Sequence, residues 1–283
     1  MNIFKNAEQL SNFLFQKKKN GKQIGFVPTM GALHPGHLEL LSQSIRHNDL
    51  TVCSIFVNPT QFNDPEDFKK YPVTIEGDIY LLELAGCNVL FLPAVSEIYP
   101  EGTNHLGKYD LGFLETVLEG KFRPGHFQGV CQVVQRLLEI VLPNTLYMGQ
   151  KDYQQSLVIK KLLSMTRLDE KIKLKVLPTV READGLAMSS RNKRLSKEAR
   201  SLAPIISKTL QSIKESIRSG KTQEIIKKGV IQLESAGFKT DYLQLANAET
   251  LELIKDWDGQ LKIVVLAAAF IEGIRLIDNI LIN

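Results

Sequence analysis

The stretch IGFVPTMGALHPGHLELL, residues 24–41, decides the fold. Ile24–Thr29 is a short, almost wholly apolar run. Met30–Leu33 is a turn bearing a glycine, and from about His37 apolar residues recur at helical spacing. That is a strand, a turn and the start of a helix. The same alternation continues down the chain. LTVCSIFVN (50–58) precedes a helical pattern across Ile75–Ala85; NVLFLP (88–93) precedes the helical VVQRLLEIV (133–141). NTLYMG (144–149) precedes a helix from about Gln154, and KLKVLPTV (173–180) closes the series. Strands that are apolar throughout, rather than alternating, are buried on both faces, as in a parallel sheet covered by helices. The spacing predicts an α/β fold: a doubly wound, Rossmann-like parallel sheet.

The texture changes after Val180. READGLAMSSRNKRLS is a polar loop, followed by long amphipathic helical patterns, then DYLQLANAE and the apolar runs LKIVVLAAAF and IRLIDNILI joined through a short IEG turn. Adjacent strands with so short a link form a hairpin, which predicts a smaller α+β unit. The expected organisation is therefore one domain over 1–179 and a C-terminal lid domain over 180–283.

With 283 residues, 43% hydrophobic and 23% charged, the chain is long enough for these two cores. Lys and Arg number 35 against 31 Asp and Glu, for a net charge of +4. Such near balance, without a basic stripe interleaved with aromatics, disfavours a nucleic-acid partner. QKKKNGK (16–22) reads as a helix end running into a turn, where cations suit the helix dipole. The three cysteines, Cys53, Cys87 and Cys131, are odd in number, lack CxxC spacing and sit in apolar surroundings. They are expected as buried thiols of a reducing compartment. The N-terminal segment is amphipathic and carries Glu8, unlike a signal peptide. The apolar run Ile263–Ile271 is far short of the roughly 20 residues of a membrane span. A soluble, cytoplasmic protein without a membrane partner is expected.

His34 and His37 fall in the turn that begins the first crossover helix, at the carboxyl edge of the sheet, where open α/β sheets bind ligands. Helix N-terminal N–H groups favour an anion there, and a neutral imidazole donates a hydrogen bond without adding a permanent charge. A single histidine at a helix start is more often a cap. Two around a Pro-Gly turn point instead to a phosphate-bearing ligand. Zinc would need a third ligand that is not nearby. Neither GxxxxGK[ST] nor GxGxxG is present, so a nucleotide must be held another way.

HPGH resembles the HxGH signature of the nucleotidylyltransferases and class I aminoacyl-tRNA synthetases, and AMSSR (187–191) is similar to their KMSKS-type loop. Together with VPTMGALHPGH, VNPTQF (57–62), GKFRPGHFQGV (120–130), YMGQKDYQQ (147–155) and PTVREADGLAMSSRN (178–192), the whole chain resembles the pantoate–β-alanine ligase family. The resemblance implies a two-step reaction. Pantoate carboxylate attacks the α-phosphate of ATP to give pantoyl adenylate and diphosphate; the amine of β-alanine then displaces AMP to form pantothenate. It also implies Mg²⁺ and a homodimer.

By the same resemblance, ATP is bound by Met30, Gly31, Ala32, Leu33, His34, Pro35, Gly36 and His37, by Gly149, Gln150, Lys151 and Asp152, by the backbone of Val180, and by Met188, Ser189, Ser190 and Arg191. His37 matches the proton donor, with His34, Lys151 and Arg191 as the other catalytic residues. Gln61 and Gln155 match the pantoate site, and Gln61 also the β-alanine site. Asn58 is a neighbour, and Met30 would pack on pantoate's gem-dimethyl group. The loop departs from KMSKS in having Ala187 and Ser190 at the lysine positions, so Arg191 carries the charge. The chemistry fits these residue types. Bringing a carboxylate to a triphosphate joins two anions, which calls for positioning and charge neutralisation at the phosphates. Amides hold the attacking carboxylate without damping its nucleophilicity as a cation would. The Mg²⁺ ligands stay open: Asp78 in TIEGDIY and Glu119 in VLEGKF are candidates, each read equally well as a helix-surface acid.

Overall fold

The computed structural model describes residues 1–103 and 106–282. In chain order, β1 (Asn2–Phe4) leads into α1 (Ala7–Lys19), β2 (Ile24–Thr29), α2 (Pro35–His47) and β3 (Leu50–Ile55). Then come α3 (Pro65–Lys69), α4 (Ile75–Leu84), β4 (Val89–Phe91), α5 (Val95–Ile98), α6 (Leu118–Phe122), α7 (His126–Val141), β5 (Thr145–Gly149), α8 (Tyr153–Met165) and β6 (Lys173–Leu177). These six strands form one sheet in the order β1-β4-β3-β2-β5-β6, with every pairing parallel. β3 is buried at every residue, as its unbroken apolar run requires.

The strand order places the ligand edge. From β2 the chain winds outward through β3 to β4, then returns across α7 to lay β5 on the other side of β2. The turns leaving β2 and β5 therefore flank the point where the winding reverses, the usual crevice of such sheets. β1 lies outside the strand pattern read from the sequence. It is a three-residue edge strand paired to β4, Asn2 opposite Val89, in front of the expected amphipathic helix. α1 ends as its lysines suggest, with Lys17–Lys19 in the last turn and Gly21 beyond it at φ 75°.

The rest comprises α9 (Lys197–Leu202), α10 (Ile205–Ser216), β7 (Gly220–Lys221), α11 (Gln223–Ser235), β8 (Lys239–Asn247), β9 (Asp256–Trp257), β10 (Ile263–Ile271) and β11 (Ile274–Ile282). β11, β10 and β8 make an antiparallel sheet, and β7 pairs with β9. β10 and β11 turn through Glu272 and Gly273, both at positive φ (48° and 73°), which is the twist a two-residue hairpin needs. One side of this sheet packs with α10 and α11 in an apolar core that includes Leu210, Leu233, Leu245 and Val265. On the other, Tyr242, Val264 and Leu266 pack with Leu118, Tyr153 and Leu157 of the first part of the chain. All three cysteines are buried free thiols. Among the described residues, no helix is long and apolar enough to cross a membrane.

Candidate active site

The turn after β2 is held in an uncommon shape. Gly31 and Ala32 both have positive φ, 80° and 49°, and an alanine there is strained. The carboxylate of Asp78, on α4 and 1% exposed, accepts from the N–H groups of Ala32 and Leu33 at 2.8 Å each and from the Thr74 hydroxyl at 3.1 Å. That clamp fixes where α2 begins, and so where the histidines lie.

His34 is the N-cap of α2; the N–H of Gly36 donates to its Nδ1 at 3.2 Å. With Nδ1 accepting, the neutral ring carries its proton on Nε2. The His37 ring lies 4.0 Å from it, centroid to centroid, and its buried Nδ1 has no partner among the described residues. Burial, then Lys151, push the His34 pKa down to about 4; burial, then His34 and Lys151, push His37 down to about 3. Both are neutral near pH 7.

Across the winding reversal, Gly149 leaves β5 and the short 3₁₀ turn Gln150–Asp152 brings Lys151 to the same cavity. Its ammonium is 3.6 Å from Asp152. The adjacent glutamines diverge. Gln154 is buried, donating to the carbonyls of Leu114 and Val117 and accepting from the N–H of Glu119, whereas Gln155 lines the cavity.

The third wall is the loop after β6. Val180 lines the cavity, and its carbonyl accepts from the N–H of Met188. Ser189 caps a 3₁₀ turn over Ser190–Arg194. Arg191 donates to Asp67 at 2.8 Å and Arg194 to the other oxygen of Asp67 at 2.9 Å. The Tyr71 hydroxyl is 3.3 Å from that of Ser190, and the Arg191 guanidinium sits 5.9 Å above the Tyr71 ring. Burial works against the Asp67 charge, but the two arginines prevail and hold its pKa below the usual range.

On the fourth side, Gln61 is nearly buried. Its amide donates to Met30 Sδ, and its Oε1 accepts from Asn58. Asn58 also donates to the carbonyl of Gly129 and accepts from the Tyr99 hydroxyl at 2.8 Å, so it orients Gln61. Gly129 is where α7 meets this loop: a Cβ would lie 2.3 Å from the Thr60 carbonyl oxygen. His126 Nδ1–H donates to the Gln61 carbonyl at 2.8 Å, and Arg123 donates to His126 Nε2 at 3.1 Å.

The cavity thus brings together Met30, His34, Gly36, His37, Gln61, Gly149, Lys151, Asp152, Gln155, Val180 and Met188–Arg191. Gly31, Ala32, Leu33, Pro35 and Gln150 are not on its wall. Ala32 and Leu33 are buried behind it in the Asp78 clamp, and the Gln150 side chain points to Asn279.

A family model of pantoate-β-alanine ligase matches residues 2–281. The chain belongs to the pantoate–β-alanine ligase family. Pantothenate synthetase of Cytophaga hutchinsonii is 45% identical over 280 residues, 97% of each chain. That of Pseudomonas fluorescens is 44% identical, covering all of this chain and 98% of its own. Among solved structures, pantothenate synthetase of Thermus thermophilus superposes with a TM-score of 0.89 at 40% identity, covering 99% of both chains. Pantoate-β-alanine ligase of Francisella tularensis, complexed with β-γ ATP and β-alanine, gives 0.83 at 38% identity, with 99% of this chain and 97% of that one covered.

Within this family fold, both acids left open for Mg²⁺ are corrected. Neither is a surface acid, because each is buried and its oxygens are taken. Asp78 is committed to the clamp. Glu119 receives both terminal nitrogens of Arg275 (2.7 and 2.8 Å) and the Tyr242 hydroxyl (2.7 Å), with Arg123 at 3.7 Å. Burial alone would raise its pKa, but Arg275, Tyr242 and Arg123 hold it down at about 2. Arg123 and His126, within the block GKFRPGHFQGV, line the cavity, as does Tyr71; Tyr71 and the Asp67 that holds the loop lie outside every motif in the sequence.

Proposed function

We propose that this chain condenses pantoate with β-alanine to pantothenate at the expense of ATP, through an enzyme-bound pantoyl adenylate, releasing AMP and diphosphate. The observation that carries the reading is convergence on one cavity. Neutral His34 and His37 after β2, Lys151 after β5, the Ser189–Arg191 loop and the amides of Gln61 and Gln155 all line it. Cationic and N–H groups suit a triphosphate whose charge grows under attack. The amides suit a carboxylate that must remain a nucleophile.

In this reading pantoate lies against Gln61, Gln155 and Met30, its carboxylate facing the α-phosphate. Lys151 and Arg191 neutralise the phosphates, and His34 gives an Nε2–H hydrogen bond. His37 is neutral in the free site, so it acts first as a hydrogen-bond donor; bound phosphate would supply the negative charge that raises its pKa toward proton transfer. The Val180 backbone meets the adenine. β-Alanine enters beside Gln61, where Arg123 offers its own carboxylate a cation.

Mg²⁺ belongs to the proposal as an ion that arrives on ATP. Among the described residues no group of three or more His, Cys, Asp or Glu could hold a metal, but Glu39 and Asp152 on the cavity wall suit an ion whose other ligands are phosphate oxygens. Such an ion supplies charge neutralisation at the phosphates. Two domains over 1–179 and 180–283, a homodimer and a cytoplasmic location complete the reading; the buried thiols accord with a reducing compartment. The test is exchange of labelled diphosphate into ATP. It should require pantoate alone, with AMP and pantothenate appearing once β-alanine is added. Exchange supported by CTP or by a nucleoside monophosphate would instead mark a nucleotidylyltransferase.

A further inference from the structure

The last strand carries two polar residues among apolar ones. In β11, Asp278 and Asn279 are each 2% exposed. A buried amide and a buried carboxylate persist only where partners satisfy them. Here their side-chain partners come chiefly from two segments that frame the cavity. Asn279 Nδ2 donates to the carbonyls of Gln150 (3.0 Å) and Lys151 (2.9 Å), and its Oδ1 accepts from Gln150 Nε2 (3.2 Å). Asp278 accepts from both terminal nitrogens of Arg181, at 2.7 and 2.9 Å. It also accepts from the N–H of Asn279. Arg181 in turn donates to the carbonyl of Gly185 (3.0 Å) and bridges to Ala187, so it shapes the hairpin that leads into Met188–Arg191.

We propose that Asp278 and Asn279 are a positioning pair for adenylyl transfer. Neighbours on a strand point to opposite faces, and this pair uses both. Asn279 fixes the peptide units of Gln150 and Lys151, which sets the direction of the lysine ammonium. Asp278 fixes Arg181 and with it the hairpin that delivers Ser189, Ser190 and Arg191. Neither lines the main cavity, so they act through other residues. Two groups that must meet one triphosphate from opposite walls are thus registered on adjacent residues of a single strand. The inference rests on the ligase reading.

The two half-reactions test it. Asn279→Leu keeps the side-chain shape and removes the three hydrogen bonds; Asn279→Asp, should the first fail to fold, keeps the acceptor and turns a carboxylate on two carbonyls. The folded variant should lose roughly 10- to 100-fold in kcat/KM for ATP in pantoate-dependent exchange, the scale of a small misplacement of a catalytic group. KM for pantoate and the reaction of preformed pantoyl adenylate with β-alanine should stay at wild-type values. Asp278→Asn should show the same selective loss. Val265→Ala, in the core of the same sheet, is the control for destabilisation and should spare both half-reactions. Wild-type exchange in the Asn279 variant, or equal loss in both half-reactions, overturns the proposal. Absence of exchange in the wild type would fail the ligase reading itself and is read on the unmutated protein.

Discussion

The imidazole rings of His34 and His37 lie 4.0 Å apart, tilted by 32°, and Lys151 adds a positive field to both. Two protonated rings at that spacing beside an ammonium would repel, and burial sharpens the penalty. Neutral rings are therefore built into the free site.

This sets the acid behaviour of the fold. His34 falls to about 4, and His37 and His126 to about 3, from an ordinary 6.5. Between those values the unfolded chain binds protons that the folded chain does not, so stability rises with pH and is lost on acidification below about 6.5. Urea midpoints should be flat from pH 8 to 7 and fall from pH 6.5 to 5. His126→Gln should make that fall shallower, by up to about 1.4 kcal/mol per pH unit. A midpoint unchanged down to pH 5 would contradict neutral burial.

Asp67 holds Arg191 and Arg194 together, and the Tyr71–Ser190 contact is the nearby support for the same loop. Hydrogen bonds to a charged group contribute about 1.5–3 kcal/mol, less where water reaches them. Asp67→Asn should speed tryptic cleavage after Arg191, Lys193 or Arg194 roughly tenfold, since cleavage of a transiently opened segment tracks its population. The overall melting temperature should move little. Unchanged cleavage would show that the loop is held by something else.

Glu119 and Arg275 join α6 to β11 through a buried, two-pronged ion pair. Arg275→Met leaves Glu119 charged with weaker company and should cost about 3–5 kcal/mol in urea unfolding. Glu119→Gln combined with Arg275→Met should cost less than the sum of the single changes, because the second removes the charge the first stranded. Additive losses would mean that the two side chains do not interact.

The inner strands β2, β3 and β5 were legible because burial on both faces leaves an unbroken apolar run. β1 was not, since three residues at a sheet edge make no pattern of their own. HPGH, GQKD and MSSR were legible because each is contiguous. Asp67 meets Arg191 across 124 residues and Arg275 meets Glu119 across 156; spacing along the chain carries no trace of such meetings. Asp78 and Glu119 read equally as Mg²⁺ candidates or surface acids for the same reason. Helical periodicity says which side of a helix faces inward, but not that a turn or a guanidinium waits there. Gln154 and Gln155 show the limit most closely: adjacent and identical, they differ only in which way α8 turns them.

Asn279 lies on β11, the last of these strands to leave the ribosome. Until that strand pairs with β10, its amide cannot hold the peptide units of Gln150 and Lys151 from behind. All six strands of the parallel sheet, and His34 and His37 with them, precede this brace on Lys151 in the chain. In the proposed reaction, competence for the ATP-dependent step therefore waits for β11 to emerge.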